Sequence, residues 1–271
     1  MKISFVISTQ PTRFQAVTFS PDFEANAARL AGLQYDGIEL AVRDPAMLDV
    51  AGIKAVLDKY RMSVPAIGTG QAWGEEHLSF TDPDPEVRKR AIYRIKSHIP
   101  LAREFNAVII VGLIRGVVQA DVPVEQAHKW LVDALKSIAT TAEENGVRIA
   151  IEPINRYETN LLNNVADTLA LIDEIGAGNI GVLYDTFHSN IEERDMQASL
   201  RACGTRLVHV HLADSNRWAP GAGHVEFARV IATLRDMEYA GWVSAEILPK
   251  PDIGSAQEQT IKTMQPLLKP Q

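Results

Sequence analysis

The chain has 271 residues, 46% of them hydrophobic and 23% charged, with a net charge of −7, which is ordinary composition for a folded domain with its own core. The acidic balance argues against a nucleic-acid partner, and the single cysteine, Cys203, excludes an internal disulfide and suits a reducing compartment. No apolar run reaches the roughly 18 residues that a membrane span needs, and the apolar start Lys2–Ser8 meets Thr9 and Gln10 too early for a leader, so a cytoplasmic location without a membrane partner is expected.

Taken in order, short β-branched runs predict strands at Ile3–Ile7, Gly37–Val42, Val64–Gly68, Val108–Gly112, Arg148–Ile154, Ile180–Asp185, Leu207–Leu212 and Trp242–Leu248. Helical patterns fill the spaces. Val87, Ala91, Ile95 and Ile99 recur every four residues after the start signal Asp82-Pro83-Asp84-Pro85, and Pro100 is expected to kink or end that helix. Ala127, Leu131, Ala134, Ile138 and Ala142 form a second stripe that stops near Asn145-Gly146, and Phe227, Val230, Ile231 and Leu234 form a third. Cys203, near a predicted helix end, reads as a small buried apolar residue. Eight strand–helix units in one domain, residues 1–271, predict the α/β class and a closed (β/α)8 TIM barrel. An open doubly wound sheet usually carries a glycine-rich first turn, whereas Ser8-Thr9-Gln10-Pro11-Thr12 has no glycine.

In such a barrel the chemistry sits at the carboxyl ends of the strands. Four predicted strands end in ionisable residues: Glu152, Asp185, His211 and Glu246. Side chains alternate inward and outward along a strand, so all four can face one axis. Three carboxylates buried together require a cation. Three oxygen donors and one imidazole make a hard, mixed set, which suits Mn²⁺, with Co²⁺ or Mg²⁺ as alternatives. His209 faces the same way one layer deeper and reads as a hydrogen-bonded interior residue, while His188 is expected in a loop above the ion. Arg115, after the fourth strand, is placed to bind a substrate carboxylate.

The segments Ile151-Glu152-Pro153-Ile154-Asn155-Arg156-Tyr157-Glu158, Asp185-Thr186-Phe187-His188-Ser189-Asn190 and His209-Val210-His211-Leu212-Ala213-Asp214-Ser215-Asn216-Arg217 resemble the sugar isomerase/epimerase superfamily of xylose-isomerase-like barrels, in its ketose 3-epimerase branch. Ile38-Glu39-Leu40-Ala41-Val42-Arg43, Ala66-Ile67-Gly68-Thr69-Gly70-Gln71-Ala72 and Val111-Gly112-Leu113-Ile114-Arg115-Gly116 look like the 5-keto-L-gluconate epimerases. The resemblance implies that Glu152, Asp185, His211 and Glu246 hold the metal. It also implies that Glu158, His188 and Arg217 contact substrate hydroxyls and carbonyl, and that the enzyme is a homo-oligomer, a dimer or tetramer, acting on a small sugar or sugar acid.

The expected reaction inverts the carbinol carbon beside a ketone through an enediolate, with Glu152 and Glu246 as opposed acid and base and with 5-keto-L-gluconate and D-tagaturonate as the expected pair. A ketose 3-epimerase of the D-tagatose/D-psicose type or an aldose–ketose isomerase would use the same parts. A barrel nuclease would need more histidines than the seven here and a basic groove. A phosphorylated substrate would look to Gly221-Ala222-Gly223 or Gly254-Ser255.

Overall fold

The computed structural model describes residues 1–19 and 22–269. Eight strands form a parallel barrel: β1 (Lys2–Ser8), β2 (Gly37–Ala41), β3 (Ala66–Gly68), β4 (Val108–Val111), β5 (Ile149–Ile151), β6 (Ile180–Asp185), β7 (Leu207–Leu212) and β8 (Trp242–Ala245). Each pairs with its sequence neighbours, and β8 returns to β1 through Lys2 opposite Trp242 and Ile3 opposite Val243, which closes the sheet. The eight predicted strands are all present; β5 and β8 stop sooner than expected, leaving Glu152 and Glu246 just past their ends.

Strand periodicity sorts the side chains into two populations. Ile38 and Leu40 of β2, Ile109 and Val111 of β4, Ile149 and Ile151 of β5, and Val210 of β7 pack with the helices in the main core. Val108 and Ile110, Ala150 and Leu183 form a separate cluster with Ala66 inside the barrel. Counting on by two from this inner set brings Ala150 to Glu152 and Leu183 to Asp185. The same alternation puts Glu39, His209 and His211 inside, since their neighbours Leu40 and Val210 face out.

The helix Val124–Glu144 buries all five residues of its predicted stripe and is followed by Gly146 at φ +67°, a left-handed position that favours glycine. The Phe227–Asp236 helix likewise buries its predicted face. Pro100 does not end its helix, which runs unbroken as Pro85–Phe105. Ile95, Ile99, Leu101 and Ala102 are buried on both sides of the proline, and that packing outweighs the one missing hydrogen bond. Cys203 is buried at the end of the Met196–Cys203 helix, and burial pushes its thiol up to about 12, which makes it inert. Among the described residues no helix is long and apolar enough to cross a membrane.

Candidate active site

Four side chains from β5, β6, β7 and β8 converge at the top of the barrel. One ligand atom each from Glu152, Asp185, His211 and Glu246 lies within 4.8 Å of every other. His211 Nδ1 stands 3.7 Å from Glu152 Oε1, 3.6 Å from Asp185 Oδ2 and 3.9 Å from Glu246 Oε2. These separations are too long for hydrogen bonds, and Glu152 Oε1, Asp185 Oδ2 and His211 Nδ1 are buried without any partner. Three orphaned acceptors aimed at one point fit a divalent cation.

The ring orientation of His211 is set from behind. Its Nε2–H donates to Glu39 Oε1 at 3.0 Å, while His209 Nε2 holds the other oxygen, Glu39 Oε2, at 2.8 Å. With Nε2 carrying the proton, Nδ1 offers its lone pair to the site. His209 is thus the interior hydrogen-bonded residue expected. Glu39 was not singled out from sequence at all. Burial works to raise Glu39, but the His211 and His209 imidazoles outweigh it and hold the carboxyl well below the usual range.

Asp185 divides its carboxylate. Oδ1 caps the helix Thr186–Glu192, accepting from Phe187 N–H at 2.7 Å and His188 N–H at 3.0 Å, and leaves Oδ2 for the site. Burial opposes its ionisation, yet the neighbouring His211 and Arg217 side chains hold it below the usual carboxylate range. Burial, with Glu152 and Asp185 alongside, pushes Glu246 up to about 7 against the pull of His211 and Arg217.

His188 lies on that short helix and is buried, not in an open loop as predicted. Asn155 Nδ2 donates to its Nδ1 at 2.7 Å, and an amide nitrogen can only donate. The imidazole proton is therefore on Nε2, which faces Glu152 Oε1 at 3.7 Å. Burial lowers the pKa of His188, so the ring is a neutral N–H donor aimed into the cavity. Asn155, which also donates to Glu158 Oε1 at 2.8 Å, is the second residue that sequence reasoning missed.

Arg217 bridges the site. Nη1 donates to Glu158 Oε1 at 2.9 Å and Nη2 to Glu246 Oε2 at 3.0 Å, and the guanidinium lies between the Phe14 and Phe187 rings. Its backbone sits at φ +60°, a strained value for a non-glycine residue. The surrounding loop enforces this value. The buried Asp214 carboxylate accepts from Ser215, Gly221 and Val225 N–H, and Leu248 N–H holds Arg217 O at 2.8 Å. Gly221-Ala222-Gly223 therefore wraps an aspartate, a poor host for phosphate. The helix start beside Gly254-Ser255 is likewise capped by Asp252.

Arg115 is corrected by the structure. It has no exposed surface, and its guanidinium donates to the main-chain oxygens of Leu161, Gly112, Glu152 and Leu162. The chain turns into a 3₁₀ segment, Leu113–Arg115, directly after β4, which carries the side chain behind Glu152 and away from the cavity. Burial brings its pKa down to about 10, leaving it charged at neutral pH. It ties the end of β5 to the loop that follows. Arg115→Met is expected to lower unfolding free energy by about 3 kcal/mol, because several buried carbonyls lose their donor. Chemical denaturation checks this; an unchanged midpoint with selective loss of activity on acidic substrates would restore a substrate role.

The cavity above these four residues has a volume of about 240 Å³, below the usual range for drug-sized ligands and of a size for one monosaccharide. Glu152, Glu158, His188, His211, Arg217 and Glu246 line one side, and Phe14, Gln71 and Trp73 the other.

The xylose isomerase-like TIM barrel family matches residues 26–269. An L-ribulose 3-epimerase of Methylomonas sp. (strain DH-1) is 32% identical over 239 residues, covering 85% of this chain and 82% of the relative. A D-psicose 3-epimerase of Enterocloster bolteae is 30% identical over 230 residues, covering 81% and 75%. The crystal structure of a 3-keto-D-glucoside 4-epimerase from E. coli superposes with a TM-score of 0.83 at 22% identity over 98% of both chains, which is a likeness of fold. The chain belongs to the xylose isomerase-like TIM barrel family.

Proposed function

We propose that this chain is a metal-dependent epimerase that inverts the carbinol carbon next to the ketone of a keto-sugar, with Glu152 and Glu246 as the two proton-transfer groups. The observation that carries the reading is the set of orphaned, buried acceptors on Glu152, Asp185 and His211 beside Glu246, in a cavity of monosaccharide size. A divalent cation held by those four residues would supply Lewis-acid stabilisation of negative charge on the carbonyl and adjacent hydroxyl oxygens. Manganese suits the hard, mixed donor set.

The chain's own groups do the rest. One glutamate takes the proton from the carbinol carbon, and the C–H electron pair becomes the C=C bond of an enediolate as the carbonyl electrons move onto oxygen. The other glutamate, protonated, returns a proton to the opposite face, so nothing is gained or lost but configuration. β5 and β8 stand three strands apart in the barrel order, which supports roles for the two carboxylates on different sides of a bound substrate. The Nε2–H of His188 orients the carbonyl side. Arg217, whose Nε–H has no partner, and Glu158 orient the neighbouring hydroxyl. The similarity to enzymes named as L-ribulose and D-psicose 3-epimerases supports a ketose substrate. The 5-keto-L-gluconate and D-tagaturonate pair rests on the resemblance of the Ile38–Arg43, Ala66–Ala72 and Val111–Gly116 segments, without Arg115 as its carboxylate receptor. A homo-oligomer remains the expectation, read by analytical ultracentrifugation.

The test is turnover of neutral ketoses and keto-sugar acids in D₂O with Mn²⁺ added back after chelation. Deuterium is expected at the inverted carbon beside the ketone. Label at C1 of an aldose product would identify an aldose–ketose isomerase instead.

A further inference from the structure

Across the mouth from the chemistry, one polar atom waits without a partner. Gln71 is only 3% exposed, yet it lines the cavity, and its Oε1 is buried with no hydrogen bond. The amide orientation is fixed by its neighbours. Ser8 Oγ–H donates to Gln10 O, since a carbonyl only accepts, and so the lone pair of Ser8 Oγ receives Gln71 Nε2–H at 2.7 Å. The oxygen of Gln71 is left as the unpaired end.

Gln71 follows β3, and β3 is four strands from β7 in the closed order, so this acceptor faces His211 and Arg217 from the opposite wall. Its surroundings are electronegative or apolar. Phe14 and Trp73 also line the cavity, and the Glu75 carboxylate accepts from Arg13 N–H at 2.6 Å. The cations that line the cavity are Arg217, already paired with two glutamates, and Arg13, whose side chain is 93% in solvent.

We infer that Gln71 is a specificity-determining residue whose Oε1 accepts a hydrogen bond from a hydroxyl at the substrate end remote from the reacting carbons, so that the favoured substrate is a neutral ketose and not a keto-sugar acid. A hydroxyl donates to this oxygen, whereas a terminal carboxylate would set its oxygens against the unpaired Gln71 Oε1, one acceptor facing another. This rests on the epimerase reading and names the substrate class within it.

The experiment compares kcat/KM for three substrates in wild type, Gln71→Leu and Gln71→Met: a neutral ketohexose, its terminal-deoxy analogue and the matching keto-sugar acid. Deuterium wash-in is the assay. Wild type is expected to prefer the neutral ketose over each of the others by about tenfold or more, the scale of one hydrogen bond to a buried acceptor. Both variants are expected to level that preference over the deoxy analogue, mainly through KM. Because the ratio is taken within one preparation, it does not depend on how much of a variant folds. Wash-in that persists with the wild-type ratio intact in both variants overturns the role of Gln71, and a wild-type preference for the acid overturns the substrate class. No wash-in from any of the three overturns the epimerase reading, and this inference with it.

Discussion

Glu246→Gln is expected to lose epimerisation by about 10²–10⁴-fold while the barrel stays folded. The substitution keeps the shape of a side chain already bonded to Arg217 Nη2, so the structural cost is small, but an amide cannot carry the proton. The more telling result lies in the exchange. With Glu152 still present, the epimer whose C–H faces Glu152 should continue to pick up deuterium from solvent without inverting, whereas the other epimer should neither exchange nor invert. Metal content must be matched at saturating Mn²⁺, since Glu246 is also one of the four proposed ligands. Full activity in this variant, or equal exchange from both epimers, would remove the two-base mechanism.

Glu39→Gln should weaken Mn²⁺ affinity by about 10–100-fold. Glu39 lies outside the set of four, but its two oxygens hold both His209 and His211. Glutamine keeps one acceptor and turns a donor on the second imidazole, so one ring must flip its tautomer or rotate. If His211 gives way, its Nδ1 no longer presents a lone pair to the ion. Direct Mn²⁺ titration by calorimetry or electron paramagnetic resonance reads this without turnover, and excess metal should restore most of the rate. An unaltered dissociation constant would reduce Glu39 to a packing residue.

The barrel and the ligand set were legible because both follow from one period. A residue two positions beyond an inward apolar side chain also points inward, and Glu152, Asp185, His211 and Glu246 all lie at or just past strand ends in this register. Glu39 obeys the same rule but was passed over. Its partners lie 170 and 172 residues away, and nothing local distinguishes a buried carboxylate in β2 from one facing outward. Arg115 failed for the complementary reason. It does follow a strand, but past the end of a ladder the alternation no longer fixes direction, and the 3₁₀ turn carries the side chain behind Glu152, away from the cavity. His188 was placed by its distance from Asp185, but the helix that buries it depends on the Asp185 cap. Pro100 shows packing overriding a local breaker.

The double duty of Asp185 has an outcome for how this scaffold can diversify. Because one carboxylate both anchors the helix bearing His188 and faces the proposed metal position, and Arg217 spans Glu246 and Glu158, the β5–β8 half behaves as a welded block. Any shift there moves ion and substrate contacts together. Gln71 and Trp73, which line the cavity after β3, make none of the hydrogen bonds that tie this block together. Such a partition would let the far wall change its sugar contacts while the proposed proton-transfer pair stays in place.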